Sequence, residues 1–176
     1  MPEADIQRQG PMGSGDRFLA NLAYLVPGYR GYKEKDLRRQ EDARLRSRVM
    51  ARLGDIQTLL TKRLDVLQEV NLEAAAIQLA ARITRLENLL SAVRFAPYGF
   101  VGFFDVPVIG EDKLEQILEI DLLLFQDLDE TVELIRGTPF PPANRTAFVR
   151  FFGDVDSGIE RIEMRLVSRD KLLGTC

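Results

Sequence analysis

Four stretches of the chain carry apolar residues at alternating steps of three and four. From Val49 the series runs through Leu53, Ile56, Leu60, Leu67 and Val70, with Arg63 standing on the same seam. At Asn71 the register shifts, and Leu72, Ala76, Leu79, Ile83, Leu86, Leu90 and Val93 continue on a new one. A third series is Leu114, Leu118, Asp121, Phe125, Leu128, Val132 and Ile135; a fourth is Phe148, Phe152, Val155, Ile159, Ile162, Leu166 and Leu173. Such spacing puts one apolar stripe on one side of a helix. It predicts helices over 33–70, 72–95, 111–136 and 143–173. Asn71 is expected to cap the second, giving a tight turn, and the Gly137–Pro142 run forces a hard break before the fourth. No stretch alternates with the period of two that a half-buried strand requires.

Ahead of these lies a shorter pattern. Phe18, Leu19, Leu22, Leu25 and Val26 share one helical face, with Ser14 or Asp16 as cap and Pro27-Gly28 as terminator. Residues 1–15 show no apolar rhythm and are expected to be a disordered tail. The expected fold is all-α: an antiparallel four-helix bundle with coiled-coil-like seams plus a short N-terminal accessory helix. It makes one helical-bundle domain over 16–176.

Charge changes this picture at one end. Nine basic and four acidic residues lie between Arg30 and Arg52, whereas ten acidic residues and a single lysine lie between Asp105 and Glu133. At 1.5 Å per residue the 33–70 helix is roughly 57 Å long and its 72–95 partner roughly 36 Å. Residues 33–46 should therefore overhang their partner. The overhang is expected to be solvated or paired inside the molecule, the acidic start of the third long helix returning beside it. Asp121 and Arg63 occupy seam positions meant for apolar side chains. Asp121 could sit at the seam's edge with Leu122 turned inward; if it is buried, Arg63 is the natural partner in a buried polar pair.

Composition narrows the chemistry. The chain has no histidine and one cysteine, Cys176. That removes the usual general base at neutral pH, the usual partner of a serine or cysteine nucleophile, and the commonest transition-metal ligand. Gly28-x-x-Gly31 is a turn and no phosphate loop, and Ser157-Gly158 lacks a nucleophile-elbow context. The carboxylates of the third long helix lack calcium-loop spacing. We expect no catalytic residue, no cofactor and no metal. One cysteine and no apolar run of about 20 residues lead us to expect a cytoplasmic chain with no membrane span, its attachment to the membrane periphery being the alternative.

The segment FAPYGFVGFFDVPVI at 95–109 stands apart, with five aromatic rings broken by glycines and prolines. It is expected to plug the end of the bundle beside the basic overhang and to leave some rings uncovered as a patch. The function expected is that of a non-enzymatic interaction or scaffolding protein. It would bind a protein partner or itself through the aromatic loop 95–109 and the basic helix 33–48. The residues expected to carry binding are Tyr29, Tyr32, Arg38, Arg39, Tyr98, Phe100, Phe103 and Phe104. A second expectation is attachment to an anionic membrane surface through 18–33. A third is a small-ligand carrier or enzyme with a pocket under the loop. Nucleic acid is disfavoured by the interleaved acids and a pI near 5.2.

Overall fold

A computed structural model describes residues 14–32, 37–95 and 110–174. They form five helices and, among the described residues, no strand. We number them α1 (Ser14–Leu25), α2 (Arg38–Glu69), α3 (Glu73–Phe95), α4 (Glu111–Gly137) and α5 (Arg145–Gly174). Residues 1–13 of the expected tail 1–15, the stretch Lys33–Asp36, the aromatic positions 96–109 and residues 175–176 lie outside the described residues.

Each helix boundary has a local cause. Asn71 closes α2 instead of capping α3: its φ of 57° places it in the left-handed region, which asparagine tolerates. Its N–H reaches the Gln68 carbonyl at 3.1 Å, and the Leu72 N–H reaches Leu67 at 2.9 Å. That is the paired terminator in which the last carbonyls are satisfied by the two residues beyond the helix. The Leu72 carbonyl then accepts the Ala75 and Ala76 N–H groups and starts α3. Two helices thus meet across a three-residue turn. At the other break, the Asn144 side chain accepts the Ala147 N–H at 2.9 Å and caps α5.

The seams point inward. Leu45, Val49, Leu53, Ile56, Leu60 and Leu67 of α2 are buried, as are Leu79, Ile83 and Leu86 of α3 and Val155, Ile159 and Ile162 of α5. Val70 and Leu72, at the α2–α3 turn, remain exposed. Helix α4 is buried on more than one side, because Ile117, Leu122 and Leu124 are covered as well as its seam. The extra cover comes from α1, which packs against α4 and buries Leu22 and Val26. Burying a side chain of that size contributes about 1.5–3 kcal/mol. Helices α2 with α3, α4 with α5, α2 with α4 and α3 with α5 are the packed pairs of the bundle.

The overhang is shorter than the sequence spacing implied. Helix α2 has 32 residues and α3 has 23. The nine-residue excess projects roughly 14 Å, and it is covered by the segment from Leu25 to Tyr32 and by the end of α5.

Candidate functional site

The covered end of the bundle holds a layer of charge where apolar residues would be expected. Arg38 and Asp42 extend the α2 seam backward from Leu45, Asp121 stands on the α4 seam, and Arg169 fills the step between Leu166 and Leu173 on α5. All four are buried. The Arg169 guanidinium is the hub: Nε donates to Asp121 Oδ1, and Nη2 donates to Asp42 Oδ1 and to the Tyr32 hydroxyl oxygen, each at 2.7 Å. Tyr32 in turn donates to Asp121 Oδ2 at 3.4 Å. Arg46 Nε meets the other Asp42 oxygen at 2.7 Å, and Arg38 Nε holds the Tyr32 carbonyl at 2.9 Å.

The electrostatics follow from burial. Removal from water pushes the Asp121 carboxyl above the ordinary carboxylate range, against the pull of Arg169. Burial alone would weaken the Arg169 cation, but Asp121, Tyr32 and Asp42 outweigh it and hold its pKa well above the usual value. The Tyr29 and Tyr32 phenols are driven up chiefly by burial. Their rings pack edge to face at 5.7 Å. The cluster draws its donors and acceptors from four places in the chain, and the buried Tyr29 hydroxyl beside it has no hydrogen-bond partner among the described residues. Its geometry ties elements together.

Arg44 and Arg48 of the basic segment also reach into their own chain. Arg44 Nη1 donates to the Gly28 carbonyl at 2.5 Å and to Glu41, which also accepts the Arg30 N–H. Arg48 Nε donates to the Leu25 carbonyl at 3.1 Å. Gly28 and Gly31 have φ values of 80° and 77°, so the connection after α1 folds tightly enough to present its carbonyls to these side chains. Basic residues of α2 therefore clamp the end of α1 and the strap that follows it. They do so through Glu41, Asp42 and backbone carbonyls.

These contacts decide where the expected binding residues stand. Tyr29, Tyr32 and Arg38 are buried, so a partner does not reach them in this fold; the apolar face and aromatic belt of the segment 18–33 are covered in the same way at Leu22, Val26, Tyr29 and Tyr32. Arg39 is exposed. Tyr98, Phe100, Phe103 and Phe104 lie outside the described residues. Arg63 and Asp121 do not meet. Arg52 of α2 pairs with Asp129 at 3.0 Å, while Arg63, eleven residues on, donates to the carbonyls of Ile135 and Thr138 at the end of α4. Asp121 therefore lies near the opposite end of α4 from Arg63. Arg63 instead caps α4 and lies over the rings of Phe140 and Phe151, at 4.6 and 5.0 Å. Partial burial draws its pKa down.

Two surface features of the described residues bear on function. A groove of about 430 Å³ between α2, α3 and α5 has apolar walls at Leu45, Val49, Leu89, Val93 and Leu166. On its rim, Arg46, Arg85 and Arg169 are already bonded to Asp42, Glu163 and Asp121. The second feature is the outer face of α3. Ala74, Ile77, Ala81, Thr84, Asn88, Ser91 and Phe95 step by three and four, and every one is exposed. None carries a charge, although 29% of the chain does. Ile77 and Phe95 are 65% and 76% exposed.

Among the described residues no group of three or more carboxylates or thiols could hold a metal ion, and no helix is long and apolar enough to cross a membrane. Comparison with protein-family models, characterised proteins and solved structures finds no match.

Proposed function

We propose that the chain is a non-enzymatic interaction or scaffolding protein whose recognition surface is the outer face of α3 with Phe95 and the aromatic segment that follows. The observation that carries this reading is the uncharged, exposed three-four stripe of α3. Solvent-facing helix surfaces ordinarily alternate charges, and the exposed Ile77 and Phe95 side chains give this uncharged stripe apolar contact points. Arg38, Arg44, Arg46 and Arg48 at the start of α2 are engaged within the chain, which favours α3 over the basic start of α2 as the recognition surface.

The scaffold itself we read as an up–down–up–down bundle of two hairpins, α2–α3 and α4–α5. Gln57 meets Glu87 in the first hairpin, and Asp127 meets Arg161 and Arg165 in the second. Arg52 and Arg63 meet α4 in the order of its sequence, and Arg82 and Arg85 meet Asp156 and Glu163 in the order of α5. Neighbours from different hairpins thus run alongside each other in the same direction, and α1 completes the packing over α4. Among the described residues this arrangement leaves the outward side of α3 without a helix packed on it.

The test is affinity purification of the tagged chain from its host, beside a Phe95→Ser, Phe100→Ser double variant. The reading predicts a stoichiometric protein, another chain or an untagged copy, that is lost from the variant while far-UV circular dichroism is unchanged. Equal retention by both forms, or no retained protein with either, contradicts it.

A further inference from the structure

Resting on that interaction reading, we infer that the partner on α3 is a second copy of this chain, the two α3 helices lying antiparallel about a two-fold axis between Ala81 and Thr84. The stripe is built of small side chains around its middle, where a two-fold axis must bring identical backbones closest. Setting Ala81 against Thr84 of the second copy sets Ile77 against Asn88 and Ala74 against Ser91. None of these three layers brings two large side chains together, and none places a charge in the seam.

The flanks supply the orientation. In this register Glu73, in the first turn of α3, faces Arg94, in the last turn of the other copy, and symmetry makes the pair twice. Both residues are exposed. The next flanking layer sets the small Ala80 beside Glu87, and the opposite flank sets Gln78 beside Arg85. No flanking position faces a like charge. Reversing one helix to a parallel pairing removes the Glu73–Arg94 match, since the two then lie at opposite ends. A chain whose charge pattern is complementary to its own reversal is fitted to itself. One helix pair of 23 residues makes a small interface, so affinity on the order of micromolar is expected.

Sedimentation equilibrium of the full chain over a wide concentration range tests this. Wild type is expected to show a reversible monomer–dimer equilibrium. Ile77→Glu is expected to be monomeric throughout with unchanged helicity. Glu73→Arg alone and Arg94→Glu alone should each weaken the dimer about tenfold, because each creates two like-charge contacts. The Glu73→Arg, Arg94→Glu double variant should return to near wild-type affinity. A wild type that stays monomeric overturns the inference while leaving the interaction reading to its own purification test. A dimer indifferent to Ile77→Glu overturns the face, and a double variant no better than the singles overturns the antiparallel register.

Discussion

The start of α2 and the outer face of α3 invert what their sequences suggest. The first is the most basic part of the chain, yet its arginines satisfy carbonyls and carboxylates of their own molecule, and Arg38, Glu41 and Asp42 are buried. The second has no charge, yet faces solvent along its whole length. Charge here is structural cement at one end of the bundle, and its absence marks a surface. The reason is geometric. An overhanging helix end cannot bury apolar side chains against a partner helix that has stopped. Long arginines can instead reach the carbonyls of an irregular strap and cover it with their stems.

That contrast can be broken from its strong side first. Arg169→Met keeps apolar bulk but leaves Asp121 and Asp42 buried without their shared cation. Urea unfolding should show a loss of about 3–5 kcal/mol; a loss under a quarter of that would mean the layer is solvated. Tyr32→Phe removes only a hydroxyl that bonds Arg169 and Asp121, and it should cost about 1–2 kcal/mol by the same measurement. Arg48→Ala frees the Leu25 carbonyl at the end of α1. It should cost about 1 kcal/mol or less, with protease cleavage appearing first between α1 and α2.

The pH dependence sharpens the same end. The native Asp121 carboxyl holds its proton more tightly than the unfolded chain does. Its contribution therefore favours the native state in acid and declines as pH rises from the ordinary carboxylate value through the native one, then levels off. Asp121→Asn should lack that decline when unfolding midpoints are compared across the mildly acid range. Identical slopes for the two proteins would count against a buried carboxyl. The smallest effect belongs to the other region: Thr84→Glu on the outer face of α3 should change monomer stability by no more than about 0.5 kcal/mol.

The helices were legible because their cause is local and periodic. Apart from Val70 and Leu72 at the α2–α3 turn, the apolar residues of the four seams face the core, and Asp121 betrayed itself by standing on one. Its partner was missed, though the signal was present. Arg169 sits at the three-four step between Leu166 and Leu173, and a seam read only for apolar residues passes over it. Arg38 and Asp42 were hidden in the same way, because the α2 seam was started at Val49. Arg63 was assigned to Asp121 since both were seam intruders, but which ends of α2 and α4 meet depends on chain direction, which spacing does not encode. The docking of α1 was open for a related reason. The extra apolar residues of α4 at Ile117, Leu122 and Leu124 signalled a second covered side without naming its cover. The outer stripe of α3 was in plain view, yet only the packing shows that no other described helix covers it.

The central claim, that charge holds the inside of this bundle and its absence marks the outside, is tested most directly by one urea-unfolding comparison. Wild type, Arg169→Met and Thr84→Glu are measured together, at a protein concentration low enough that self-association adds nothing. The account predicts a large loss of stability for Arg169→Met and a curve for Thr84→Glu that overlays the wild type. Equal losses, or the greater loss at Thr84, would contradict it.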